Sequence, residues 1–514
     1  MKIVTGKMMR EVDQRAIEEA GVPSLLLMEH AGLGVLHEIE KRFGACSQKV
    51  VSIVAGKGNN GGDGYVVARH LLKMGAIPKV FLAVDPKQIK GDAKVNLSLF
   101  EKWGGQIFTV TPGNLRTVKK DLAESHLIID ALFGTGLSSP LEGLVAQLVR
   151  FINSLNLPVV AIDIPSGIHS DSGHVLGVAM KAWVTATMGL PKQGCYFFPG
   201  AEYVGDLTIV DIGIPPSVLE QVNSSFHVIT RDQVESLLPK RPMKSHKGLF
   251  GHVAVVAGAR NTTGASILTS LAAMRSGAGL VTLATPASIH SIVAAQLLEV
   301  MSHPLPETQK QTFSTKAEEP ILSLLKGKRA LALGPGISTH PETQELIQRI
   351  LPQLTVPTVL DADALNALSG HLGILKRCQV PIILTPHPGE MGRLLGITSS
   401  EVEKDRLGSV RKLAQTCGQW VVLKGAKTLV ADPHGETYLN PTGNPGMATA
   451  GIGDALTGVI AGFLAQGLSP LDSAIAGTFI HGLAGDFALK EKGTRGLITR
   501  DLIEQLPAAL RDLE

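Results

Sequence analysis

Long apolar runs are missing from this sequence of 514 residues. No window reaches the roughly 18 to 20 consecutive apolar residues that a membrane-spanning helix needs, so no span is expected. The first residues, Met1-Lys2-Ile3-Val4-Thr5-Gly6, lack the apolar core of a signal peptide. Cysteine is scarce: Cys46, Cys195, Cys378 and Cys417 are scattered, with no C-x-x-C pair. That argues against zinc and a disulfide framework, and the cytoplasm is the expected location. Aromatic residues, at 4%, leave little material for stacking on bases. An excess of one charge is missing too, because 48 Lys and Arg stand against 45 Asp and Glu without a long basic run. Neither nucleic acid nor a membrane surface is therefore an expected partner.

What remains is an ordinary globular composition, 44% hydrophobic and 18% charged. The length exceeds what one core serves and implies two to four domains. Glycine (56 residues) and proline (29) point to many tight turns.

In the first half, helical periodicity over Met8–Ala20 and Ser24–Phe43 is interrupted at Gly21-Val22-Pro23. Strand-like runs follow at Lys49–Ala55, Lys79–Val84, Leu127–Asp130 and Pro158–Asp163, separated by helical patterns. That alternation predicts a parallel sheet covered on both faces, with a crevice at the carboxyl ends of its strands. Three strand ends carry polar or Gly-rich turns: Gly58 to Gly64, Asp130 to Gly136, and Asp163-Ile164-Pro165-Ser166-Gly167. Gly56, Gly58 and Gly61 also satisfy G-x-G-x-x-G, with Asp85 available as a ribose acid, but a plain dinucleotide fold leaves Asn59, Asn60, Asp63 and the later turns unused. Oxygen-bearing side chains such as Asn60, Asp130 and Ser166 suit a hard cation, although each alone is equally ordinary turn chemistry.

A polar break at Val222-Asn223-Ser224-Ser225 sets the expected boundary near 222, giving domains of 1–222 and 223–514. Beyond it, strands are expected at His252–Ala257, Leu280–Ala284, Ala330–Leu333, Thr358–Leu360, Ile382–Leu384 and Trp420–Leu423. Their ends carry Gly334-Pro335-Gly336, Asp361-Ala362-Asp363, Thr385-Pro386-His387-Pro388-Gly389-Glu390 and Lys424-Gly425-Ala426-Lys427-Thr428. Asp361 and Asp363 suit helix caps, and His387 suits either a local turn or a well-placed ring between two prolines. Lys424 follows an apolar run, an awkward place for a charge without an anion partner. Near the end, Asn444 to Asp454 is a Gly-rich loop opening into Ala455, Leu456, Val459, Ile460, Phe463 and Leu464 at helical spacing. A helix N-terminus with uncovered amides attracts an anion, and Asp454 there either caps the helix or serves as a base beside a phosphate.

The first set of motifs resembles the NAD(P)H-hydrate epimerase family over about residues 1 to 220, implying a Rossmann-like three-layer α/β/α domain. By that resemblance, Asn59, Asn60, Gly61, Gly62 and Asp63, with Gly134, Thr135, Gly136, Leu137, Ser138, Ser139 and Pro140, hold the hydrated dinucleotide. Asp163 contacts it and transfers the proton, and Asn60, Asp130 and Ser166 bind K⁺. The second set resembles the ADP-dependent NAD(P)H-hydrate dehydratase family, a ribokinase-like branch, over about residues 230 to 514. It implies that Lys424, Gly425, Ala426, Lys427, Thr428 and Gly453 bind ADP with Mg²⁺, and that Ala265, Gly336, His387 and Asp454 contact the hydrate, Asp454 as base. Two departures are Ile452 and Ala259, where small polar residues are usual. Together they imply a nicotinamide repair enzyme acting on NADHX and NADPHX, expected to be a homo-oligomer. The alternative is a ribokinase-like ATP-dependent kinase fused to a nucleotide-binding module.

Overall fold

The computed structural model describes all 514 residues. The chain divides into two compact units, residues 2–224 and residues 225–514 together with Met1.

The first unit is built on β1 (Val50–Ala55), β2 (Ile77–Leu82), β3 (Gln106–Thr109), β4 (Leu127–Ala131), β5 (Val159–Ile162), β6 (Val184–Met188) and β7 (Asp206–Val210). All pair in parallel, in the order β3-β2-β1-β4-β5-β6-β7. The period of two along a strand shows in β1. Val51, Ile53 and Ala55 enter one apolar cluster, whereas Val54 enters the cluster on the other face. Strand order reverses between β1 and β4, and there the crevice opens, as the alternation predicted. β6 was not anticipated, because Thr185 and Thr187 read as polar although both are fully buried. Asp85, the candidate ribose acid of the plain dinucleotide reading, instead accepts from the Lys87 amide at 2.9 Å and caps a short 3₁₀ turn.

The second unit holds β8 (Phe226–Val228), β9 (His252–Val256), β10 (Leu280–Pro286), β11 (Met301–Leu305), β12 (Ala330–Leu333), β13 (Thr358–Leu360), β14 (Ile382–Leu384), β15 (Trp420–Leu423), β16 (Leu429–Ala431) and β17 (Thr437–Leu439). The order is β11-β10-β9-β12-β13-β14-β15-β16-β17-β8, parallel as far as β15 and antiparallel across the β15/β16 and β16/β17 pairs. The Gly-rich stretch near the C-terminus empties into the helix Ile452–Ala465, whose periodic apolar residues all join the core.

That helix lies against the helix Thr263–Arg275 at backbone contact. A Cβ on Gly458 would sit 2.1 Å from the Thr269 carbonyl oxygen, and one on Gly462 would sit 1.9 Å from Ser276 Oγ. Gly458→Ala must push the helices apart, an overpacking cost of about 1–3 kcal/mol. Urea unfolding of that variant should show the loss as a lower midpoint at unchanged slope.

Candidate active sites

In the first unit, the strand-end turns converge on a cavity of about 730 Å³. Asn59, Asn60, Asp63, Gly134, Thr135, Gly136, Leu137, Ser138, Ser139 and Asp163 line it. Gly61 and Gly62 do not, since a Cβ on the former would meet the Gly56 carbonyl at 2.2 Å and one on the latter would meet Met28 at 2.6 Å. They let the helix Asn59–Lys73 settle against its neighbours. Pro140 lies exposed beyond the wall. Asp163 follows β5 with φ of +68°, a left-handed conformation that a non-glycine residue holds only where its surroundings enforce it. The enforcement is visible: its amide donates to the Ala186 carbonyl at 2.7 Å, and its Oδ1 receives Lys192 Nζ at 2.5 Å. Lys192 has no exposed surface and also donates to the Met188 carbonyl and Thr187 Oγ1.

Beside this pair sits a group with the character of a cation site. Asp130 Oδ2 accepts from the Ser166 amide at 2.8 Å and Oδ1 from Ser166 Oγ at 2.6 Å. Burial nevertheless pushes the Asp130 carboxyl up to about 6, against those hydrogen bonds. Asn60 is 8% exposed, yet neither its side-chain oxygen nor its nitrogen has a partner. An orphaned buried amide and a desolvated carboxylate are each donors that a hard monovalent cation would satisfy.

In the second unit the helix Ile452–Ala465 starts at Gly451, with φ of +89° and no side-chain cap. Asp454 stands in its first turn without capping it, and no hydrogen bond engages its carboxylate. Burial, then the neighbouring Asp361, push that carboxyl up to about 7, with Lys424 pulling the other way. Lys424 Nζ contacts Asp361 Oδ1 at 2.5 Å and lies 3.8 Å from Glu390 Oε2. A Cβ on Gly453 would stand 3.1 Å from the same ammonium, so the helix start and the cation share one corner, a geometry that suits an anion.

The capping role expected of Asp361 is corrected here. Its side chain is 1% exposed and bridges Lys424 to Thr457 Oγ1 at 2.8 Å, tying β13, β15 and the helix together. His387 caps the helix Pro388–Leu395 through Nδ1, which accepts from the amides of Gly389 (3.0 Å) and Glu390 (3.4 Å). Nδ1 is thus unprotonated and Nε2 carries the hydrogen. Burial and Lys424 lower the pKa of this ring, so it is neutral at physiological pH. Gly336 and Ala265 are neighbours, 3.0 Å from the Gly336 Cβ position to Ala265 Cβ. Lys427 stands apart from Lys424: its ammonium reaches the Pro441 carbonyl at 3.3 Å. Thr428 Oγ1 donates to the Gly425 carbonyl at 3.0 Å and closes that turn.

A family profile described as NAD(P)H-hydrate dehydratase matches residues 253–508, and one described as YjeF-related protein N-terminus matches residues 24–194. A bifunctional NAD(P)H-hydrate repair enzyme of Moorella thermoacetica is 44% identical, over 100% of this chain and 97% of its own. The chain belongs to the bifunctional NAD(P)H-hydrate repair enzymes. A second member, from Thermofilum pendens, is 40% identical over 100% of this chain and 97% of its own. Among solved structures, the ADP/ATP-dependent NAD(P)H-hydrate dehydratase of Bacillus subtilis, co-crystallized with ATP/Mg²⁺, is 31% identical with a TM-score of 0.49, covering 56% of this chain and 99% of that one.

Three residues of this repair enzyme's two sites escaped the sequence reading: Asp13 and Lys192 in the first cavity, and Thr457 in the second site. Lys192 carries a weak signal, a lone charge just after the buried strand β6 and the turn Gly189-Leu190-Pro191. Asp13 sits among Met9, Val12 and Ala16, a charge set into the buried face of its helix. Thr457 carries no signal separable from an ordinary helix position.

Proposed function

We propose that the first cavity interconverts the R and S hydrates of NADH and NADPH at C6, and that the Asp454 corner dehydrates the S form at the expense of ADP. The observation supporting the second step is a carboxylate free of hydrogen bonds, pushed up to about 7, in the first turn of a helix whose start adjoins the half-buried Lys424. Asp454 takes the proton of the C6 hydroxyl as that oxygen attacks the β-phosphate of ADP, and AMP leaves. Lys424 and the amides at the helix start hold the charge on the transferred phosphoryl group, with Mg²⁺ entering on the nucleotide. Phosphate then departs from C6, a proton leaves C5, and the dihydropyridine returns. Neutral His387 offers its Nε2 hydrogen to the hydrate, while Gly336 and Ala265 leave room for the ring.

In the first unit, Asn60, Asp130 and Ser166 would hold K⁺, which supplies fixed positive charge near the dinucleotide. Asp163, locked by Lys192, is the proton-transfer residue of that cavity. The chain alone should restore the 340 nm absorbance of a mixed R/S NADPHX sample when given ADP, and the same assay with ATP reports nucleotide preference. No recovery with either nucleotide overturns the reading.

A further inference from the structure

The cavity of the first unit holds a carboxylate to which the reading above gives no task. Asp13 lies on the helix Gly6–Glu18, which lines the cavity with Met9, Arg10, Asp13 and Ile17. Its Oδ1 is buried and has no hydrogen-bond partner. Leaving such an atom unsatisfied is costly, and a purely structural aspartate would avoid it by finding a donor. No cation forms an ion pair with it either. Arg10, one turn back, donates to the Thr135 carbonyl, and the ion pairs of this helix are Lys7–Glu11 and Arg15–Glu19. The groups that face it across the cavity are Asp63 from the helix Asn59–Lys73, Lys57 before it, Asp92 from the helix Gly91–Lys102, Asp163 after β5 and Lys192 after β6. Lys192 is committed at 2.5 Å to Asp163.

We propose that Asp13 is a second acid–base residue of this cavity, working on the C6 hydroxyl in partnership with Asp163. The proposal rests on reading the cavity as the epimerase. Inverting C6 through loss and return of water needs a proton given to the leaving hydroxyl and a proton taken from the incoming water. Asp163, positioned by its ion pair with Lys192, is the group that takes one. Asp13, on the helix wall and unpaired, is the group free to give one. Burial supports that division by pushing its carboxyl up to about 6, with Asp163 adding to the shift and Lys192 opposing it.

The step balances with water alone. Asp13 protonates the hydroxyl, the C6–O bond breaks, and the lone pair on N1 forms an N1=C6 iminium ion. Water then bonds to the other face of C6 while Asp163 accepts its proton, and the carboxylates re-equilibrate through solvent or through the reverse turnover.

The test uses the full chain and purified R-NADPHX in ¹⁸O-labelled water. Each inversion should place one solvent oxygen on C6, and inversion without label overturns the proposal. Asp13→Asn should slow inversion by about 100-fold or more while ADP-dependent dehydration of S-NADPHX is unchanged. The wild-type inversion rate should fall as pH rises through the range set by the raised Asp13 carboxyl, and Asp13→Asn should lack that limb. Asp13→Asn with the wild-type rate and pH profile overturns the proposal. If that variant loses its thermal unfolding transition, Asp13→Glu carries the test: a displaced limb supports the assignment and an unmoved limb overturns it. Asp163→Asn separates the two readings. Loss of inversion there, with Asp13→Asn unaffected, removes only the role of Asp13, whereas full rates in both variants remove the epimerase cavity itself.

Discussion

Asp454→Asn should lower the ADP-dependent return of NADPH from S-NADPHX by about 10²–10⁴-fold, the usual worth of a positioned general base. Inversion of R-NADPHX should proceed at the wild-type rate, because Asp454 and the first cavity belong to different units. The amide keeps the size of the side chain and removes its ability to take a proton. In the wild type, where this carboxyl is pushed up to about 7, the dehydration rate should climb as pH rises through neutrality and then level off. Stability should move the other way. A carboxyl whose folded pKa is raised penalises the folded state once pH exceeds its unfolded value near 4, and the penalty is complete above the folded value. Asp454→Asn removes it, so the variant should gain about 1–3 kcal/mol at pH 8, discounted for partial exposure, and nothing at pH 3. Thermal unfolding at both pH values, with stopped assays for each half-reaction, checks every part. A variant that is inactive but unchanged in stability at pH 8 would mean that Asp454 is not desolvated.

Asp163→Asn should do the reverse to activity, abolishing inversion and sparing dehydration. It should also destabilise the first unit by about 3–5 kcal/mol, because Lys192 is left with a buried, uncompensated charge. Replacing both residues, Asp163→Asn with Lys192→Met, should recover most of the lost stability and none of the inversion. The double-mutant cycle thus separates the pair's part in folding from its part in chemistry. Equal instability in the double variant would show that the uncompensated lysine charge is not the source of the loss.

The layered α/β architecture was legible because buried parallel strands such as Val50–Ala55 and Ala330–Leu333 are apolar runs ended by glycine or acidic turns, and the turns lie where ligands bind. Edge and hairpin strands were not. Gln106–Thr109 and Met301–Leu305 are short and partly exposed, so burial leaves no continuous apolar run to read. The same division holds at the sites. Residues that must be small or turn-forming, such as Gly134 and Gly453, announce themselves locally. Lys192 and Asp361 acquire meaning only from partners 29 and 63 positions away in sequence. Lone charges carry no local mark of the ion pair they will enter. His387 shows a third case, in which the turn role does not exclude the proposed site role, since Nδ1 caps the helix while Nε2 lies 3.5 Å from Glu390 Oε1.

The contact at Gly458 and Gly462 makes the second site a caliper. One jaw is the start of Ile452–Ala465, bearing Asp454; the other is the start of Thr263–Arg275, bearing Ala265. Their spacing is gauged by the close approach of Gly458 to the Thr269 carbonyl and of Gly462 to Ser276 Oγ. In the proposed dehydratase site, a hydrate between them would meet a gap set by these two contacts. Substitutions that widen this seam should blunt discrimination between the two C6 epimers before they unfold the protein.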